Sequence, residues 1–226
     1  MKKQEIFFHI GLPKTGTTFL QQNVFPYLKD ITFFNCVDYP WSDFPVYLNP
    51  FYIKYQPGKN LVSDERICGY GYIKLPYGSM LGRIRTLKKN FPQSNILLVL
   101  REPNSLKRSL YKQYIKHSYG TLNYQDWIQQ ELDQSIFDYE SLTSYIQLNF
   151  PRSLILSFDD LKKNQDVFIQ CICDFLGIGF PEGYKHERVY VSPSDSSIVS
   201  IRNINRCRVF PRLVKQGFAY FYRRTI

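Results

Sequence analysis

Short apolar runs alternate along the chain with longer stretches of helical period. Residues 5–10, with Ile6, Phe7, Phe8 and Ile10, predict a first strand, and a helix is expected from about 17 to 28. Residues 31–36 and 60–63 predict short strands, the second ending at Asp64-Glu65, and a basic helix is expected over 79–90. The run Ile96-Leu97-Leu98-Val99-Leu100 is apolar at every position, so both of its faces should be buried, as in a central parallel strand. It stops at Arg101-Glu102-Pro103, and a helix should follow to about His117. Residues 124–133 and 139–149 predict helices, 153–157 another buried strand, and 167–176 a helix stopped by Gly177.

This alternation predicts a three-layer α/β/α domain around a central, mostly parallel sheet. With 226 residues, one buried core and a single domain over 1–226 are expected. Two segments depart from the pattern. Residues 38–58 hold Pro40, Pro45, Pro50 and Pro57 among tyrosines, have no clear period, and read as an ordered excursion or lid. The tail over 186–226 is basic and aromatic, and from 196 to 226 it has no acidic residue. It reads either as a packed terminal helix with a solvated basic side, or as a surface for an anionic acceptor, a nucleotide or a membrane.

Composition narrows the classes. Hydrophobic content of 44% with 21% charged residues describes a soluble globular protein, and no run of about 18 apolar residues suggests a membrane span. A cleaved signal peptide would remove the loop after the first strand, so none is expected. Five scattered cysteines, no Cys-x-x-Cys pair and three histidines argue against a zinc site and fit a reducing cytoplasm. Net charge is +10, which suits a polyanionic ligand, nucleic acid, an acidic membrane surface or simply a basic exterior. Charge alone does not choose.

The chemistry concentrates in Gly11-Leu12-Pro13-Lys14-Thr15-Gly16-Thr17-Thr18. Backbone N–H groups, two hydroxyls and one ammonium meet there at a helix start, which is a phosphate site. The order is not that of a Walker A loop, because Lys14 precedes the second glycine. A capped helix without a ligand is the alternative, with Thr17 or Thr18 as the cap. A second site lies at the end of the strongest strand. Many nucleotide-hydrolysing proteins place a metal-holding Asp there. This chain has Arg101, which binds an anion and cannot hold a metal. Ser109 follows eight residues later on the next helix, where its hydroxyl could join Arg101 around one phosphate. Both sites should share the C-terminal edge of the sheet, which suggests a ligand with two separated phosphate-like groups and no metal.

These residues resemble the sulfotransferases that use 3′-phosphoadenosine-5′-phosphosulfate (PAPS), with a P-loop-like fold. Pro13-Lys14-Thr15-Gly16-Thr17-Thr18 resembles the family's 5′-phosphosulfate loop, and Arg101-Glu102-Pro103 through Ser109 and Tyr111 its 3′-phosphate element. Phe158-Asp159-Asp160-Leu161 followed by Phe175-Leu176-Gly177 is similar to a late strand–helix passage of the family. Ser63-Asp64-Glu65 resembles the Ser-x-Glu of carbohydrate-type members, and a sequence without a signal, span or Asn-x-Ser/Thr sequon favours a bacterial-like member. Two positions depart: Leu106 stands where many members carry an Arg, and Phe19 where small-molecule members often have Trp.

The resemblance implies metal-free transfer of a sulfuryl group from PAPS to a hydroxyl or amine. Lys14, Thr15, Gly16, Thr17, Thr18, Arg101 and Ser109 would bind the donor, Lys14 would stabilise the leaving oxygen, and Glu65 would be the base. A surface Asp64-Glu65-Arg66 charge cluster is the alternative for Glu65. Glutamate as base, the tyrosine-rich excursion and the basic tail favour a polysaccharide or glycolipid acceptor. No nucleic-acid partner is expected, and the enzyme is expected in the cytoplasm, with peripheral membrane contact through the basic tail as an option. A P-loop small-molecule kinase and a non-enzymatic polyanion- or nucleic-acid-binding module are the competing functions.

Overall fold

The computed structural model describes residues 4–35, 54–68, 79–186 and 193–207. Five strands, β1 (Glu5–His9), β2 (Thr32–Asn35), β3 (Lys59–Ser63), β4 (Asn95–Leu100) and β5 (Ser153–Ser157), form one sheet in the order β2-β3-β1-β4-β5. Every pairing is parallel: Phe7 lies opposite Leu61 in β3 and Asn95 in β4, and Leu98 opposite Ile155.

Side chains alternate across a strand, so the apolar runs supply two faces. Phe8, Val62, Ile96 and Leu98 pack with Ile84 and Leu87 of α2 (Met80–Asn90), Leu110 of α3 (Pro103–His117), Trp127 of α4 (Tyr124–Gln130) and Ile146 of α5 (Tyr139–Asn149). Phe7, Leu61, Leu97 and Val99 face the other way. They meet Val24, Phe25, and Phe168, Ile172 and Leu176 of α7 (Gln165–Leu176). The expected three-layer α/β/α arrangement with a parallel sheet is therefore present. The sheet reverses its direction of growth between β1 and β4, and ligands of such sheets sit outside the strand C-termini at that crevice.

Three elements differ from the sequence pattern. The first helix is irregular: α1 (Thr17–Phe19) continues as a π turn over Leu20–Val24 and a 3-10 turn over Phe25–Tyr27. Pro26 lies at the start of that last turn, where its missing N–H forbids an ordinary helical bond. The helix expected over 124–133 stops at Gln130, and a separate 3-10 turn spans Gln134–Phe137. A short helix α6 (Phe158–Lys163) follows β5 directly, capped by the Ser157 hydroxyl, which accepts from the Asp159 N–H. Asn164 is extended (φ −153°), which separates α6 from α7, and its side chain caps α7.

In the tail, α8 (Asp195–Arg206) lies against α3. Ile198 joins the core, and the buried Asn205 Nδ2 donates to the Ile115 and Gly120 carbonyls, 3.0 Å each. Residues 208–226, most of the 38–58 excursion and Cys36 lie outside the described residues. No helix among the described residues is long and apolar enough to cross a membrane.

Candidate active site

The loop after β1 is held to the sheet edge by β4. Ile10 N–H donates to the Leu97 carbonyl at 2.9 Å and Leu12 N–H to Val99 at 3.4 Å, which extends the parallel pairing past the strand. The chain then reverses through two left-handed residues, Lys14 (φ 68°) and Gly16 (φ 84°). Lysine takes this conformation at some cost, whereas glycine adopts it freely. A Cβ on Gly16 would also lie 2.7 Å from Leu161 Cδ2, so α6 packs against the loop only because position 16 has no side chain. Thr15 Oγ1 donates to the Leu12 carbonyl and closes the turn. Gly16 caps α1 without a side-chain hydrogen bond, so no side chain competes for the N–H groups at the helix start. Thr17 and Thr18 therefore do not act as its cap.

Arg101 reaches this loop. Its Nη1 donates to the Lys14 carbonyl at 2.8 Å, its Nε donates to Ser105 Oγ at 2.9 Å, and its guanidinium lies 4.9 Å from the Phe158 ring centre. The Arg-Glu-Pro sequence explains this posture. Glu102 caps α3 by accepting from the Asn104 and Ser105 N–H groups, and Pro103 starts the helix without needing a donor. The Lys14 loop and Arg101 thus meet on one edge of the sheet. Arg101 bonds Ser105 rather than Ser109. Ser109 lies one turn further along α3, 7% exposed. Leu106 is buried in the core, and the neighbouring Lys107 ammonium lies 4.8 Å from the Phe137 ring centre.

Charge around Lys14 is mixed. Desolvation lowers its pKa although its side chain reaches solvent, because protein surrounds the ammonium on several sides. Glu65 opposes this shift, while Lys116 and Arg101 add to it. Glu65 follows β3 in a short 3-10 turn (Glu65–Ile67) and is half-buried. Asp64, its easily confused neighbour, is 2% exposed, and its N–H donates to the His9 carbonyl. His9 is fully buried: its Nδ1 lies 2.7 Å from Ser63 Oγ, and burial lowers its pKa to about 3. Among the described residues, no group of three or more His, Cys, Asp or Glu could hold a metal ion.

Sequence reasoning missed Ser105, Phe158 as the platform under Arg101, and Lys116. Ser105, Ser109 and Lys116 recur at helical spacing on α3, and that period was the one available signal. Phe158 belongs to the passage Phe158-Asp159-Asp160-Leu161, but nothing in the chain told which strand end it would face.

No protein-family model matches the chain, and no curated protein matches it in sequence. Solved structures do. A sulfotransferase from Alicyclobacillus acidocaldarius superposes with a TM-score of 0.55 at 15% identity, covering 90% of this chain and 93% of that one. The mouse sulfotransferase SULT7A1, complexed with PAP, gives a TM-score of 0.54 at 16% identity, covering 89% of this chain and 64% of its own. At these identities the likeness is one of fold: the chain has the α/β, P-loop-like fold of sulfotransferases.

Proposed function

We propose that the chain is a sulfotransferase that moves a sulfuryl group from PAPS to a hydroxyl or amine of a carbohydrate, such as a polysaccharide or glycolipid. The observation that carries this reading is the hydrogen bond from Arg101 to the Lys14 carbonyl, which ties two anion-binding motifs into one site on a sulfotransferase fold. The residues fit a donor with two anionic ends. Lys14, the N–H groups of Thr15, Gly16 and the helix start, and the Thr17 and Thr18 hydroxyls would receive the 5′ end, and Arg101 and Ser109 the 3′-phosphate. PAP bound to the mouse enzyme of the same fold supports a donor of this class.

In transfer, a bond forms from sulfur to the acceptor's oxygen or nitrogen while the bond from sulfur to the bridging phosphate oxygen breaks. Lys14 stabilises the electron pair left on that oxygen, and Glu65 accepts the acceptor's proton. Glu65 fits this role better than Asp64, which is sealed in the interior, because Glu65 is partly exposed and lies within electrostatic reach of Lys14. The physics is that of phosphoryl transfer, in which positioning and charge stabilisation supply most of the rate. Lys116 beside Lys14 suits an acceptor carrying negative charge. An enzyme with this chemistry needs no metal, and the domain 1–226 would act as one unit in the cytoplasm or at a membrane surface.

Transfer of sulfur-35 label from PAPS to a panel of polysaccharides and glycolipids tests the reading. Labelled product is expected from at least one acceptor, with Glu65→Gln lowering kcat on the order of 10²-fold or more. Magnesium-dependent ATP turnover without sulfate transfer would favour a kinase instead. Arg101 at the β4 terminus, in the place of a metal-holding carboxylate, argues against it.

A further inference from the structure

Beneath the donor loop lies a buried polar chain that the proposed mechanism does not use. Gln21 Nε2 sits 3.4 Å from the Ser63 carbonyl and 3.0 Å from Ser63 Oγ. A carbonyl only accepts, so the amide faces Ser63 with its NH₂ group, and Ser63 Oγ accepts from it. That hydroxyl keeps one proton and a second lone pair, so toward His9 Nδ1 at 2.7 Å it either donates or accepts, according to the imidazole tautomer. Where Ser63 donates, the imidazole proton lies on Nε2.

That Nε2 has no partner, and neither has Thr17 Oγ1, although His9 is 0% and Thr17 2% exposed. Both converge on Gly11. A Cβ at Gly11 would stand 3.3 Å from His9 Nε2, 2.7 Å from Thr17 Oγ1 and 2.9 Å from Thr15 Oγ1. Burying two unpaired polar atoms destabilises the fold, so a site that keeps them together points to a use in another state.

We propose that His9 is a positioning residue for the donor. On donor binding, its Nε2–H donates to Thr17 Oγ1, directly or through one water, and this turns the Thr17 hydroxyl proton toward the 5′-phosphosulfate. Gly11 leaves the space for that contact. The imidazole stays neutral throughout, and the inference rests on the donor reading above.

The test is a double-mutant cycle read by calorimetric titration of 3′-phosphoadenosine-5′-phosphate into wild type, His9→Phe, Thr17→Val and the double variant. Each single variant should bind about tenfold more weakly, the double variant also about tenfold, and His9→Gln should recover most of the loss. A double loss near the product of the two, or no loss in His9→Phe, overturns the inference and leaves the donor reading intact. Wild type that does not bind overturns both. Should His9→Phe fail to fold, nitrogen-15 NMR of the wild-type imidazole decides. A proton on Nε2, with a shift that moves on adding the nucleotide, is expected. A proton on Nδ1, or an unmoved Nε2, overturns the inference.

Discussion

Lys14 combines a left-handed backbone, a carbonyl that receives Arg101, and an ammonium whose pKa is lowered chiefly by desolvation. In the proposed site its charged form is the one that binds the donor's anionic end. Because the pKa is lowered, that form is lost at a lower pH than for an ordinary lysine. The affinity for 3′-phosphoadenosine-5′-phosphate should therefore start to fall below the usual lysine range near 10.4. Lys14→Arg should hold its affinity to higher pH, and titration calorimetry across pH 7–11 checks both, on the order of these values. Gly16 is constrained twice, by its φ of 84° and by Leu161. Gly16→Ala should cost about 1–3 kcal/mol in urea unfolding from backbone strain, with further loss if α6 is displaced.

Among elements, strand existence was readable because the apolar runs in β1 and β4 fill two faces, which only a sheet covered on both sides allows. Helix interruptions were less readable. Pro26 announced a break, but the π turn before it has no local signature in Leu20–Val24. α6 was hidden because its six residues are too few to establish a period. For the site, the Lys14 loop and Arg101 were legible as motifs, since each places a charged group just past an apolar strand. Ser105 and Phe158 were not, because their contacts depend on how α3 and α6 cross the sheet edge. The joint of α3 and α8 rests on Asn205, whose amide bridges two carbonyls. Asn205→Ala should leave both unpaired and cost about 1–3 kcal/mol, measured by urea unfolding.

The molecule as a whole carries a titratable core. His9 is neutral in the folded chain, with a pKa near 3, whereas in the unfolded chain it binds a proton near pH 6.5. Between these values the unfolded state holds more protons, so stability rises with pH. Its contribution is fully present above about pH 6.5 and is lost as pH falls toward 3, at no more than about 1.4 kcal/mol per pH unit. Urea unfolding of His9→Gln at pH 4, 5 and 6 should show a shallower loss than wild type. The net charge of +10 acts over longer range, and the association rate of an anionic donor should fall as salt rises.

In the proposed function, Arg101 and Lys14 join two anion subsites into one donor site. Calorimetric titration of 3′-phosphoadenosine-5′-phosphate against wild type, Lys14→Ala and Arg101→Ala tests it without knowledge of the acceptor. Saturable one-to-one binding by wild type is expected, weakened on the order of tenfold or more in each variant. No binding by wild type, or equal binding by all three proteins, would contradict it.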